Sequence, residues 1–199
     1  MNERYDYKKY SDFDRNQIIN KLKNNLTDSR FEHCLRVESE AIRIAINNNY
    51  DSELAGLAGL VHDYAKQMSD DKFKQYIREY RLDENLLNYG NEIWHGYVGY
   101  LIIQQELGIN DSRILNAVRY HTIGSSHMEK LSKIIFMADY IEPNRNFPGV
   151  ENARKITNSS LDEGVIFQIK NTMIYLVENG NKIYPRALDA YNRIVDLNN

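Results

Sequence analysis

Three observations predict an all-α fold. Apolar residues recur at helical rather than alternating spacing along nearly the whole chain. Only three prolines, Pro143, Pro148 and Pro185, interrupt it. Residues that start or stop helices, such as Asp51, Gly108 and Asp111, stand between the apolar runs.

Residues 1–14 are polar and tyrosine-rich without a clear period, and are expected to be a loosely held lead-in to a single domain over residues 15–198. Arg15 to Leu26 puts Ile18, Ile19, Leu22 and Leu26 on one face of a short amphipathic helix. Thr27-Asp28-Ser29 stops that helix. Ser29-x-x-Glu32 has the form of a capping box, so the next helix is expected to begin near Arg30 and run to about Asn47, with Phe31, Leu35, Val37, Ile42 and Ala45 inward. On it, His33 lies three residues after Arg30 and shares its face. After the Asn47-Asn48-Asn49 turn, Asp51 is expected to cap an apolar helix that ends in His62-Asp63, with Lys66 three residues further on.

Ser69 to Tyr80 reads as a solvated amphipathic helix and Leu82 to Tyr89 as another short one. His95 is then expected to precede one long apolar helix, Gly96 to Leu107, closed by Gly108. Asp111 caps the next, which buries Ile114, Leu115 and Val118 and ends at His121. Met128 to Ile141 is strongly apolar and carries Asp139 near its last turn, where Pro143 forbids continuation. Asn144 to Val150 is expected to be a loop, and Ser160 to Glu178 and Pro185 to Leu197 the closing helices. There is no internal repeat and no low-complexity segment.

Composition narrows the function classes. With 42% apolar and 27% charged residues the 199-residue chain is ordinary for a folded domain, which argues against disorder. A net charge of −3 argues against binding DNA by bulk attraction to phosphates, but allows a small anion in a local basic pocket. No run approaches the roughly 18 to 20 apolar residues of a membrane span, and the first twenty residues lack the apolar core of a signal peptide. A cytoplasmic protein with no membrane partner is therefore expected. The single Cys34 cannot form an internal disulfide, and is expected to be a small buried residue rather than a nucleophile.

The adjacent His62-Asp63 pair closes an apolar stretch, Leu54 to Val61. Burying imidazole and carboxylate side by side is costly unless something compensates them, and a divalent cation does so. Other helices offer His33, His95, His121 and Asp139 as further donors. Mixed nitrogen and oxygen donors suit iron, manganese or zinc, whereas the lack of clustered cysteines argues against a structural zinc site. Ligation that leaves positions open lets a bound water ionise near neutral pH and attack phosphorus. Hydrolysis of a phosphate ester or anhydride is the chemistry this pattern suggests. Arg30, Lys66 and Arg145 fall beside the donors, and Lys182 and Arg186 add cations at the start of the last helix. A single histidine would read as structural or surface, and His127, which lacks such company, is taken as surface.

The order H…HD…H…H…D resembles the HD-domain metal-dependent phosphohydrolases. The segments Arg30 to His33, Ala58 to Lys66, Trp94 to Gly96, Tyr120 to Thr122 and Ala138 to Gly149 resemble the YqeK group within them, over roughly residues 15 to 197. The resemblance implies an all-α HD-domain helical bundle with its metal site between helices. It implies a symmetrical diadenosine tetraphosphate hydrolase, which cuts a dinucleoside polyphosphate at its centre to give two ADP. It implies metal ligation by His33, His62, Asp63 and Asp139, with iron first and manganese, nickel or zinc as other divalent or trivalent candidates, as one or two ions. It also implies nucleotide contacts from Arg30, Asp63, Tyr64, Ala65, Lys66, His95, His121, Asp139, Tyr140 and Arg145 and from Lys182, Ile183, Tyr184, Pro185, Arg186 and Ala187.

Asp63 is the candidate for orienting water, with Lys66 offsetting charge on the leaving phosphate. His95 and His121 either hold a second metal or touch phosphate, the second being favoured. Tyr184 stands where the group more often has histidine, and Cys34 replaces a usual small hydroxyl residue. A homodimer is compatible with these readings. The competing functions are a nucleotide or nucleoside monophosphate phosphatase on the same site, and a non-catalytic nucleotide-sensing module that kept the pocket.

Overall fold

The computed structural model describes residues 5–197, so the first four residues of the lead-in and the final residue of the expected domain lie outside it. Eleven α-helices and one 3₁₀ turn occupy the described residues, with no strand among them. The core is made by α2 (Asp28–Asn47), α3 (Ser52–Val61), α7 (Ser112–Tyr120) and α8 (Lys130–Ile141), which pack on one another. Around them lie α1 (Arg15–Asn25), α4 (Asp70–Glu79), the 3₁₀ turn Glu84–Asn88, α5 (Asn91–Tyr97), α6 (Gly99–Leu107), α9 (Val150–Ser159), α10 (Leu161–Glu178) and α11 (Pro185–Leu197). Every residue of α3 from Leu54 to Val61 is buried, as expected of a helix that is apolar all round. No helix of the described residues is long and apolar enough to cross a membrane.

Asp51 and Asp111 cap α3 and α7 through their side chains, and Gly108 closes α6 in the left-handed conformation, as the sequence predicts. Other boundaries differ. α2 starts two residues before Arg30, with Thr27 as its N-cap and no side-chain cap bond, so Ser29 is inside the helix and forms no capping box. The capping box belongs to α1, where the Gln17 amide donates to Asp14 and the Asp14 amide donates to the Gln17 side chain. The expected helix after His95 is two helices broken at Val98, and His95 lies inside the first. Gly96 and Gly99 flank the break and weaken helix on both sides of it. α9 was expected as neither helix nor strand. It buries only Val150, Ala153 and Thr157, a stripe too sparse to stand out in a polar sequence.

The described part of the lead-in, residues 5–14, is tied to the core rather than loosely held. Tyr7 is fully buried and its hydroxyl donates to Glu38 Oε1 at 2.5 Å. Arg15 grips both oxygens of the same carboxylate at 2.8 and 2.7 Å. Tyr10 donates to Asp51 at 2.8 Å, and Ser11 donates to the Leu107 carbonyl at 2.6 Å. Burial and the neighbouring Glu38 push the Tyr7 phenol pKa far up, so it remains a donor. A buried glutamate on α2 is thus neutralised by Arg15 at the start of α1 and hydrogen-bonded by Tyr7 from a segment that carries no helix of its own.

Tyr7 fits because Gly56 has no side chain. A Cβ there would stand 2.5 Å from the Tyr7 hydroxyl and 3.0 Å from Ile42. Gly56→Ala should cost about 1–3 kcal/mol by overpacking, and Tyr7→Phe about 1.5–3 kcal/mol by leaving Glu38 short of a donor. Because the second change removes the atom that the first one strikes, urea denaturation of the double variant should show a loss smaller than the sum.

Candidate metal centre

Four core helices end on or pass one point. His33 comes from the second turn of α2, His62 caps the end of α3 with Asp63 in the following turn, His121 caps α7, and Asp139 lies in the last turn of α8. His95 enters from α5. The α2–α3 approach is close because of Gly59, where a Cβ would stand 2.9 Å from the Val37 carbonyl oxygen. Rings therefore meet edge to face: His33 and His62 lie 5.2 Å apart, His62 and His121 5.1 Å, and His95 and His121 5.0 Å.

Each imidazole is held by its Nδ1 and aims Nε2 inward. Nδ1 of His62 donates to the Gly59 carbonyl at 2.7 Å, that of His121 to Val118 at 2.7 Å, and that of His95 to Asn91 at 2.5 Å. Nδ1 of His33 faces Glu142 Oε1 at 3.2 Å. The inward atoms then form two adjoining groups. In the first, His33 Nε2 is 3.1 Å from Asp139 Oδ1 and 3.7 Å from Asp63 Oδ2, while His62 Nε2 is 3.9 Å and 3.5 Å from the same atoms. In the second, Asp63 Oδ1 is 3.2 Å from His95 Nε2 and 3.7 Å from His121 Nε2, and the two Nε2 atoms are 3.1 Å apart.

The first group fits a metal ion. Donors about 2.0–2.2 Å from a common ion stand roughly 3 to 4.4 Å from one another, which brackets the four separations from 3.1 to 3.9 Å. His33 Nε2 and His62 Nε2 are buried with no hydrogen-bond partner, as ligand atoms awaiting an ion would be. Electrostatics point the same way. Burial opposes ionisation of Asp63, yet His62, His121 and His95 hold its pKa well below the usual carboxylate range. Burial also opposes ionisation of Asp139, and His33, His62 and Arg145 overcome it. Burial works against charge on His62, but Asp63 and Asp139 push its pKa up. Two anions, Asp63 buried and Asp139 half-buried, stay charged and attract a cation.

Cations rim the centre. Arg30 donates to Asp63 Oδ2 at 2.8 Å, and Arg145 pairs with Asp139 through its carboxylate and, at 2.8 Å, its carbonyl. Lys66 Nζ lies 3.2 Å from the His95 ring, with its pKa lowered by burial. Burial also lowers the His95 pKa to about 4. Tyr140, next to Asp139 in the chain, lies tilted against Phe147 with ring centroids 4.8 Å apart. Tyr64 turns its hydroxyl to Glu106 at 2.9 Å, and Ala65 packs beneath Gly99, so the side chains of these two residues point elsewhere. Cys34 is buried and its thiol pKa is pushed up by burial and by Asp63, so it is no thiolate. His127 is exposed.

A cavity of about 660 Å³ is lined by Glu92 and Ile93, by Thr122 and by Phe136, which neighbour His95, His121 and Asp139 in the chain, and by none of the donor residues themselves. Lys182, Tyr184 and Ala187 line its far side. Ile183 faces a separate groove with Met173 and Leu188, while Pro185 and Arg186 are exposed, Arg186 lying over the Tyr97 ring. Of Lys182 to Ala187, only Lys182, Tyr184 and Ala187 line the cavity, and none hydrogen-bonds to the donors. Tyr184, buried against Tyr89 and Tyr97, is wall material. Sequence reasoning did not single out Glu92, Thr122, Phe136 or Glu142. The carboxylate of Glu142, just before Pro143 and one turn past Asp139, carried the only readable signal.

Comparison with known proteins agrees with this geometry. A model of the HD domain matches residues 30–144. A Bacillus subtilis protein named symmetrical bis(5'-nucleosyl)-tetraphosphatase is 39% identical, over 91% of this chain and 97% of its own. A Staphylococcus aureus protein of the same name is 40% identical, over 85% and 89%. A solved structure from Clostridium acetobutylicum, described as a predicted HD superfamily hydrolase involved in NAD metabolism, superposes with a TM-score of 0.84 at 33% identity, covering 92% of this chain and 98% of that one.

A donor set of this kind predicts metal-linked stability. At an ion concentration one hundred times its dissociation constant, the folded state should gain about 2.7 kcal/mol. Thermal unfolding of metal-stripped protein should show a rise in Tm on adding Mn²⁺, and Asp139→Asn should lose most of that rise.

Proposed function

We propose that this chain, which belongs to the HD-domain family, is a metal-dependent hydrolase that splits diadenosine tetraphosphate symmetrically into two ADP. The observation that carries the reading is the convergence of His33, His62 and Asp139, and of His62, Asp63 and His121, each set with its donor atoms within 4.8 Å of one another. Relatives that cover nearly the whole chain and bear the tetraphosphatase name select this substrate among the phosphate chemistries the fold hosts.

His33, His62, Asp63 and Asp139 hold the ion, which when bound polarises a phosphoryl oxygen and lowers the pKa of a water. Iron is the proposed metal, as the resemblance to the YqeK group implies; the mixed imidazole and carboxylate donors suit it as they suit manganese or zinc. Arg30 and Arg145, partly exposed and already turned toward the ligating carboxylates, donate to phosphate oxygens as the chain of phosphates enters. Asp63 is shared between the two groups and is the residue placed to orient the attacking water. The Nε2 atoms of His95 and His121 face each other, and both Nδ1 atoms already donate to carbonyls. Only one proton between the Nε2 atoms, or a common partner, satisfies that pair. A proton taken up at that pair lets one Nε2 donate to a phosphate oxygen, and Lys66 alongside offsets charge on the departing ADP. Lys66 in that position also favours phosphate over a second ion. The cavity lined by Lys182, Tyr184 and Ala187 takes a nucleoside half.

Purified protein assayed with diadenosine tetraphosphate, and separately with AMP, each with and without Fe²⁺ or Mn²⁺, should yield two ADP from the first in a metal-dependent way. Free phosphate from AMP, or no turnover, would replace the reading with a monophosphatase or a sensing module. Asp63→Ala should abolish hydrolysis with the fold retained. Lys66→Met should lower kcat by about 10²–10³ while metal content stays unchanged.

A further inference from the structure

One of the four inward imidazoles is held differently from the rest. His62 and His121 close their helices, where the last carbonyls have no helical N–H to accept from, and each ring donates to a carbonyl three residues back. His95 uses the Asn91 carbonyl on the first turn of α5. His33 sits inside the twenty-residue α2, where the preceding carbonyls serve the helix ladder. Its Nδ1 needs an acceptor from elsewhere, and that acceptor is the Glu142 carboxylate at 3.2 Å.

Glu142 is itself firmly placed. Its side chain is 3% exposed, and its second oxygen accepts from Arg36 Nε at 2.7 Å and from the Asn144 amide at 2.8 Å. Arg36 lies one turn after His33 on the same face of α2. Arg154 Nη2 donates to the Glu142 carbonyl at 2.8 Å, pinning the backbone at the end of α8. The same few residues thus carry Asp139, which faces the centre directly, and Glu142, which faces it through His33.

We propose that Glu142 is a positioning residue of the metal centre. Its carboxylate takes the Nδ1 proton of His33, holds the ring in the tautomer that presents Nε2 to the ion, and lends His33 more negative character than a backbone carbonyl lends the other rings. The inference rests on the reading of His33 as a ligand. It makes His33 the strongest imidazole donor and gives the pair His33 and Glu142 control over how tightly the ion is kept.

The test is a metal titration of the full chain, stripped of metal and titrated with Mn²⁺ against a competing chelator, with the Tm of the metal-free protein measured alongside. Glu142→Ala should weaken Mn²⁺ binding by about 10–100-fold. Glu142→Gln, which keeps an acceptor but no charge, should fall between it and the wild type and covers the case in which the alanine variant fails to fold. Arg36→Met breaks the clamp between α2 and the end of α8 without touching His33, and should lower the Tm while leaving Mn²⁺ affinity close to wild type. Unchanged affinity in both Glu142 variants, or an equal loss in Arg36→Met, would reduce Glu142 to a structural clamp and overturn the proposal. Wild-type protein that takes up no Mn²⁺ would overturn the ligand reading of His33 as well.

Discussion

The carboxylate of Asp63 sits in the middle of a protein interior, and the surrounding architecture answers to that charge. An ionised carboxylate in an apolar environment is costly unless it is paired and hydrogen-bonded. Here it meets four imidazoles and an arginine, delivered by α2, α3, α5 and α7. Those helices could not converge on one point with bulky seams. Leu54 to Val61 is rich in glycine and alanine, and this lets α3 press against α2 until two rings touch edge to face. The helices stop where they do because the ring that closes each of α3 and α7 uses its own last turn as a partner.

A second buried acid, Glu38, is handled in the opposite way. Arg15 and Tyr7 surround it and leave it nothing to bind. Both acids come from adjoining core elements and both are buried, yet of the two only the group around Asp63 has ring nitrogens without hydrogen-bond partners. That contrast separates a structural ion pair from a binding centre more sharply than burial or charge alone.

Much of this was readable in the residues, for a physical reason. A histidine next to an aspartate at the end of an apolar helix has few inexpensive explanations, so His62-Asp63 marked the centre, and the chain offered few other imidazoles to complete it. Helix existence followed from apolar period, and caps with a short polar side chain, Asp51 and Asp111, were visible for the same reason. What failed to show depends on tertiary contact. Tyr7 looks like one tyrosine among many until its hydroxyl meets a glutamate 31 residues away. Glu142 looks like a solvated end-of-helix acid until α2 brings His33 and Arg36 against it. α9 shows too few apolar residues to announce itself, and the break at Val98 is a local compromise between two packing directions. Which residues from Lys182 to Ala187 line the cavity is likewise set by how α11 is approached, not by composition.

The two groups that share Asp63 are chemically unequal, and the inequality suits cleavage in the middle of a polyphosphate. On the side of His33, His62 and Asp139, the buried Nε2 atoms of both rings have no hydrogen-bond partner, a setting for a cation. On the side of His95 and His121, the two Nε2 atoms face each other at 3.1 Å and Lys66 stands against the His95 ring. Under the proposed function, a polyphosphate lying across Asp63 would be polarised on one flank by an ion held by His33, His62 and Asp139, and its bridging oxygen would face Lys66 on the other. A phosphate chain with a nucleoside at each end offers a bond of this kind at its centre. A monophosphate would leave the anion-binding flank with only a small leaving group to meet.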